Sequence, residues 1–325
     1  MEGGHGCLPA EETPHGLTFK NSADALMATI QGILHYLANR AGRPRSDSAS
    51  NGAADGEENS NCRACPICAT LPRSDGLIGR LDTTFAGNLF VRHYNLTYCT
   101  CKGLVYLDPM PPSSDLDAIY LKSDQFTSSL YTDPARVDAV NEYMFNCLTR
   151  ILSARSVPLT QPLSVLEVGA GRAWMCRAAK RLDSSCKTSA QDVSAEVATE
   201  CGWVDQYLVC DISDPRLDIL GPFDVISLTH VIEHLRDPVA ATRRCKSLLA
   251  KGGTIFITAP HRPEGWQIGV STISEWQKYS YNHVPGHIQY FSRESMQKLA
   301  DRSGCNLCYW EDNHENGQAF EAWLA

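Results

Sequence analysis

Residues 163–171 read LSVLEVGAG, and no other stretch of the chain limits the choice of fold so tightly. Leu163, Val165, Leu166 and Val168 surround one acid in a near-continuous apolar run. A run this short is the pattern of a strand buried on both faces of a parallel sheet. Gly169 and Gly171 then permit a tight turn and close approach of a ligand to backbone, at the N-terminus of a helix beginning near Arg172. The combination predicts a cradle for a nucleotide-type cofactor, whose identity the rest of the chain must supply.

At 325 residues the chain has material for one large domain and a smaller one. A net charge of −8 argues against a general binder of nucleic acid or anionic membrane. The first 25 residues carry neither a basic n-region nor a continuous apolar core, so no secretory signal is expected. No segment approaches the length of uninterrupted apolar sequence that a membrane span needs. A cytoplasmic protein is the expectation. Of the 14 cysteines, most (Cys147, Cys176, Cys201, Cys210, Cys245) lie singly in core-like segments, where cysteine behaves as a small hydrophobe. A disulfide scaffold does not fit a chain with this much core. Only the cluster from Cys62 to Cys101 calls for chemistry.

Periodicity divides the chain. Leu26, Ile30, Ile33, Leu34 and Leu37 share one helical face, with Asn21 or Ser22 as N-cap and Gly42 and Pro44 beyond the end. That helix either covers its own domain or pairs two subunits into a homodimer through residues 21–40. Residues 41–61 offer almost nothing to bury and read as a flexible linker, so 1–61 forms a helix-and-linker segment. A cysteine-bearing module follows over 62–112. It shows strand-like alternation at Leu89, Val91, Tyr94, Leu96 and Tyr98 and a second short strand from Leu104 to Leu107. Helical patterns near 114–121 and 134–153 make a connector over 113–160.

From 161 to 325 the pattern alternates. Strands are expected at 163–168, 187–192, 205–209, 222–228 and 253–258, and helices near 171–181, 194–201 and 236–250. This is the signature of a parallel sheet with helices on both faces. An insertion rich in Gly, Pro, His and aromatic residues follows Pro260. Ser292 then caps a helix to about Ser303, and two strand-like segments come after it, 306–310 and 318–324.

The third glycine of a dinucleotide fingerprint is replaced by Trp174. Three acids point to a related cofactor. Glu167 precedes the first glycine, Asp192 ends the next strand, where a carboxylate can accept both ribose hydroxyls, and Asp211 follows the third strand, in reach of an adenine amino group.

With these residues in place the chain resembles class I S-adenosylmethionine (SAM)-dependent methyltransferases, in the branch that methylates ubiquinone and menaquinone precursors. The matching segments are LEVGAG (166–171), QDVS (191–194), CDISD (210–214), FDVISLTHVIEHLRDP (223–238), LLAKGGTIFITAP (248–260) and HIQYFSRESMQKLADRSG (287–304). Ala173 stands where many members carry a further glycine. The resemblance implies an α/β fold, a Rossmann-like seven-stranded sheet. It also implies that Glu167, Gly169, Ala170 and Gly171 hold the methionine end of SAM. Asp192 and Val193 would serve the ribose, Asp211 and Ile212 the adenine, and Thr229 and His230 would border the sulfonium.

Methyl transfer from a sulfonium is an in-line displacement, and a hydroxyl acceptor must lose a proton. His230, Glu233, His234, His283 and His287 are the candidate groups, and a histidine suits a base at neutral pH. The spacing H-x-x-E-H can also be read as an inverted zinc-protease motif. That reading needs the motif inside a helix, whereas here it straddles a strand end. Relatives of the resembled branch carry E-x-x-E-H at this place and use a divalent metal to acidify the acceptor. Two readings follow: His230 or His287 as base with Glu233 and His234 orienting, or a second divalent metal held by His230, Glu233, His234 and His287. The acceptor is expected to be a hydroxyl on a small molecule, sugar or natural-product intermediate. Trp266, Trp276, Tyr279 and Tyr281 of the insertion either shape its pocket or form the core of a lid.

Cys65-Pro-Ile-Cys68 on a turn and Cys99-Thr-Cys101 across a ribbon can supply a tetrahedron of thiolates to Zn²⁺. The stretch resembles the N-terminal zinc ribbon fused to this branch, with the last ligand displaced by one residue. Cys101, or Cys62, completes the set, and the metal is structural. Cys305 and Cys308 lie in a predicted strand, where residues three apart face opposite sides, and are set aside. The rival to an enzyme is a non-catalytic SAM-binding protein whose ribbon contacts a partner.

Overall fold

A strand rich in β-branched and apolar residues is stable in mid-sheet only if both its faces are covered, and Ser164–Val168 is buried at every position. The computed structural model describes residues 62–82, 93–100, 103–122, 133–155, 162–263, 265–313 and 319–325. The helix expected over 21–40, the linker, Leu89, Val91 and Cys101 lie outside the described residues.

The elements run in order as β1 (Leu77–Asp82), β2 (His93–Tyr98), β3 (Val105–Asp108), α1 (Ser113–Lys122) and α2 (Pro134–Ser153). Then come β4 (Ser164–Val168), α3 (Trp174–Leu182), β5 (Lys187–Asp192), β6 (Gln206–Val209), α4 (Arg216–Leu220) and β7 (Phe223–Thr229). After these follow α5 (Pro238–Leu248), β8 (Leu249–Pro260), α6 (Ile273–Gln277) and β9 (Gln289–Tyr290). Last are α7 (Arg293–Ser303), β10 (Leu307–Asn313) and β11 (Ala319–Leu324).

The large sheet has seven strands in the order β10-β11-β8-β7-β4-β5-β6. Strands β4 to β8 pair in parallel, and β11 runs antiparallel to both β8 and β10. This is the Rossmann-like sheet of class I methyltransferases. From β4 the chain winds outward through β5 to β6, then returns across the centre to β7 and β8. The reversal opens a crevice beyond the carboxyl ends of β4 and β7, where ligands of such sheets sit. One apolar cluster covers one face, joining Leu166, Ile226, Ile257 and Leu299. A second covers the other, joining Val165, Val225, Met175 and Leu148.

Helix α2 shows how sequence fixes packing. Asp133 caps it by accepting from the Ala135 amide at 3.1 Å, and Pro134 begins its first turn. Val140, Tyr143, Met144, Cys147, Leu148 and Ile151 recur at helical spacing and are all buried. Each apolar side chain so covered contributes about 1.5–3 kcal/mol against exposure. Helix α7 has Ser292 as N-cap and Gly304, at φ 72°, as its left-handed terminator.

Differences from the sequence reading have local causes. The helix expected over 194–201 is only a 3₁₀ turn, Ala198–Glu200, because the Asp192 side chain accepts from the Ser194 amide and turns the chain aside. Strand β1 has an irregular register against β2 near Gly79, so its alternation is hidden in the sequence. Strand β9 is two residues long and carries no pattern of its own. It completes a four-stranded antiparallel sheet, β1-β2-β3-β9, that joins the cysteine-bearing segment to the insertion after Pro260.

Candidate active site

Helix α3 starts without a capping side chain of its own, since Ala173 at its N-cap has φ 53°. The cap comes from β4. The Glu167 carboxylate accepts from the amides of Met175 at 2.8 Å and Cys176 at 3.1 Å. Burial pushes its pKa up to about 7, against the opposing pull of those amides. Glu167 therefore shapes the turn at the start of α3.

Gly169 and Gly171 take φ 58° and 47°. A Cβ on Gly169 would lie 2.5 Å from Val231 Cγ2, so only glycine lets β4 and the segment after β7 approach this closely. At Gly171 nothing lies within 4 Å of a Cβ position, which leaves room for a ligand against backbone. The Gly171 amide donates to Asp192 Oδ2 at 2.8 Å. Gln191, which the sequence reading passed over, accepts from the Gly169 amide through its Oε1 at 3.4 Å and donates through Nε2 to the Cys210 carbonyl. It ties the turns after β4 and β6 together, and a glutamine facing inward in a strand beside Asp192 was the available signal. Asp192 is half-buried, Val193 and Asp211 are exposed, and Ile212 packs on the core. Asp192, Asp211, the glycine turn, Thr229 and His230 thus all lie at or just beyond the carboxyl ends of the parallel strands.

His230 follows β7 at φ 55°, a conformation that costs a non-glycine residue energy, and its amide donates to the Thr258 carbonyl at 2.8 Å. The next turn, Ile232–His234, aims Glu233 inward, where it is fully buried. Neither oxygen of its carboxyl has a hydrogen-bond partner. His230 Nδ1 stands 3.4 Å from Oε1 and His234 Nε2 3.7 Å. His234 Nδ1 donates to the Gly286 carbonyl at 2.9 Å, and His287 Nδ1 to the Tyr281 carbonyl at 2.8 Å. Burial holds both histidines below their ordinary pKa and so uncharged. With Nδ1–H committed to carbonyls, each neutral ring carries its lone pair on Nε2. One ligand atom each from Glu233, His234 and His287 lies within 4.8 Å of the others. His230 flanks this group; its ring and that of His287 each stack near Tyr281.

The aromatic residues of the insertion belong to a core. Trp266, Trp276, Tyr279, Tyr281 and Tyr290 are buried together with Tyr94, Leu96 and Leu107. At the cysteine turn, one Sγ each from Cys65, Cys68 and Cys99 lies within 4.8 Å of the others. Cys62 is exposed and stands outside this group. A hydrogen bond with Cys99, together with burial, pushes the Cys65 thiol far above its ordinary range.

Comparison with known proteins now bears on the crevice. A family model described as a methyltransferase domain matches residues 140–309, more than half of the chain. The chain belongs to this methyltransferase family. The ubiquinone biosynthesis O-methyltransferase of Xanthomonas campestris pv. campestris is 31% identical over 164 residues, covering 46% of this chain and 68% of the relative. That of Xanthomonas axonopodis pv. citri is 30% identical over the same length. A solved structure of the mitomycin 7-O-methyltransferase MmcR aligns with TM-score 0.39 and 15% identity, over 59% of this chain and 58% of that one. The protein is a class I SAM-dependent methyltransferase related to the ubiquinone methyltransferases. No helix among the described residues is long and apolar enough to cross a membrane.

Proposed function

We propose that this enzyme methylates a hydroxyl oxygen of a small molecule and that Glu233, His234 and His287 hold a divalent cation beside the acceptor. The observation that carries the reading is the Glu233 carboxyl, wholly buried with both oxygens lacking hydrogen-bond partners. Burying a polar group unpaired costs about 1–3 kcal/mol. A cation shared with two imidazole lone pairs removes that cost and explains why three acceptors converge with no donor among them. Such a cation supplies Lewis-acid lowering of the acceptor's pKa. Nitrogen and oxygen donors in this ratio suit Mn²⁺, Fe²⁺, Co²⁺ or Zn²⁺ better than Mg²⁺ or Ca²⁺.

In this reading SAM lies across the β4–β7 crevice. The backbone of Gly169, Ala170 and Gly171 faces its methionine end, with Glu167 holding the turn. Asp192 and Val193 serve the ribose, Ile212 and Asp211 meet the adenine, and Thr229 with His230 borders the sulfonium. Residues 161–325 are the catalytic domain, 113–160 a helical connector and 62–112 a zinc-ribbon-like module. In that module Cys65, Cys68 and Cys99 share a structural Zn²⁺ with Cys101.

A second reading has one observation in its favour. His230 Nδ1 lies 3.4 Å from Glu233 Oε1, the geometry of a base oriented by a carboxyl, at the half-exposed rim of the crevice. There His230 takes the acceptor proton without a metal.

Titration calorimetry with SAM and S-adenosylhomocysteine, on the wild type and Asp192→Ala, tests the cofactor site. Binding that is lost in the variant is the expected result; equal binding by both would remove Asp192 from it. Co²⁺ absorption then separates the two mechanisms. A nitrogen–oxygen site gives weak visible bands, distinct from thiolate charge transfer, and these must vanish in Glu233→Gln. If only thiolate bands appear, the metal reading fails and His230 becomes the base.

A further inference from the structure

The segments that carry the thiol cluster and the Glu233–His234–His287 group meet through β9. Strand β9 begins two residues after His287 and pairs with β3, Val105 against Tyr290 and Tyr106 against Gln289. Strand β3 leaves the cysteine knuckle itself, in which the Cys99 amide donates to the Leu104 carbonyl and the Gly103 amide to the Cys99 carbonyl. Arg63, two residues before Cys65, is buried and reaches β3 and the residue that precedes β9. Its amide donates to Asp108 Oδ1 at 2.7 Å, and its Nη1 donates to the carbonyls of Leu107 at 3.3 Å and Ile288 at 3.2 Å. The guanidinium also lies over the Tyr106 ring, 5.5 Å from its centroid.

On its other side β9 grips the turn that carries the acceptor-side ligands. The Ile288 amide donates to the Glu233 carbonyl at 3.0 Å. Gln289, wholly buried, donates through Nε2 to the carbonyls of Ile232 at 2.8 Å and Leu235 at 2.9 Å, bracketing Glu233 and His234. One amide group thus fixes both ends of that turn, and the segment 287–289 holds the turn against His287. Side chains held by such outer contacts set how closely ligand atoms converge.

We propose that Gln289 is a positioning residue for the Glu233–His234–His287 group, and that the thiol cluster governs that group through Arg63, β3 and β9. Loss of the ion at the thiols frees β3 at the knuckle and loosens β9. The acceptor side then loses its geometry while the glycine turn and Asp192, on β4 and β5, keep theirs. The inference rests on the metal reading above for its affinity readout, but its backbone readout does not.

Three full-length proteins test it: the wild type, Cys65→Ser/Cys99→Ser and Gln289→Met, which keeps the volume and removes the donor. Each is measured by hydrogen–deuterium exchange, by Mn²⁺ titration followed by electron paramagnetic resonance, and by SAM calorimetry. In the cysteine variant, exchange is expected to rise over 62–82 and 93–108 and also over 228–236 and 283–291. In Gln289→Met it is expected to rise over 228–236 alone. Mn²⁺ affinity should fall about tenfold or more in both, the usual effect of removing an outer contact of a ligand. SAM affinity should hold. If the cysteine variant loosens only its own module, or Gln289→Met leaves 228–236 protected, the proposal is overturned. If exchange follows the pattern but wild type binds no Mn²⁺, the linkage stands and the metal reading fails. If SAM binding collapses in every variant, the effect is general unfolding, and the assigned route is wrong.

Discussion

Replacing Glu233 by Gln should stabilise the metal-free enzyme and abolish its response to metal. The wild-type carboxyl is wholly buried with two unpartnered oxygens, and Oε1 faces His234 Nε2 at 3.7 Å. That nitrogen carries a lone pair, because Nδ1–H is bound to the Gly286 carbonyl. An amide of the same shape offers two N–H donors to such lone pairs. Relief of an unsatisfied buried group is worth about 1–3 kcal/mol. At about 2–4 °C per kcal/mol for a large domain, the variant should melt roughly 2–12 °C higher after dialysis against EDTA. Mn²⁺ at about a hundredfold excess over its Kd adds about 2.7 kcal/mol to a protein that binds it. The wild type should gain that increment and Glu233→Gln none, so the order of the two melting temperatures closes or inverts on adding metal. Circular dichroism melts in the two buffers are sufficient. A variant less stable than wild type in EDTA would show that the carboxyl has a satisfying partner. A variant that keeps the full Mn²⁺ shift would place the cation elsewhere.

Acidification should destabilise the EDTA-treated protein below about pH 6.5. Burial lowers the pKa of His283 to about 4 and those of His234 and His287 below their usual value. The unfolded chain therefore binds the extra protons first, and stability falls from pH 6.5 towards 4, by up to about 1.4 kcal/mol per unit for each histidine. Glu167, raised to about 7, works the opposite way between 4.5 and 7, so Glu167→Gln should steepen the loss; a melting temperature flat over this range refutes the assignment. Gly169→Ala should cost roughly 2–4 kcal/mol, from its left-handed backbone and the 2.5 Å approach to Val231 Cγ2. Adding Val231→Ala should recover part of that in urea titrations, and no recovery would mean that the clash is not the cause. Asp224→Ala removes the anion that accepts from Arg155 Nη2 at 3.0 Å and from the Ser164 amide at 3.1 Å. Opposite a guanidinium only 5% exposed, this should cost about 3–5 kcal/mol, and a loss under 1 kcal/mol would contradict the burial.

The amino-acid sequence by itself determined the catalytic sheet. Strands buried on both faces must be continuously apolar, and turns that bring backbone to a ligand must be glycine. LSVLEVGAG and FDVISLT could therefore be placed within a residue or two of β4 and β7. The cap at Ser292 was equally legible, because capping is a contact between near neighbours. Glu167 was visible as an acid before the first glycine, but its direction was not: only the packed helix shows the carboxylate taken up by two amides. The sequence grouped His230, Glu233, His234 and His287, but tertiary structure alone decided that the last three converge while His230 flanks them. Their convergence depends on a turn strained at His230 and on a strand of two residues far along the chain, which leaves no periodic trace. Arg63 and Gln289 were silent for the same reason, since each acts through carbonyl oxygens, and every residue carries one of those.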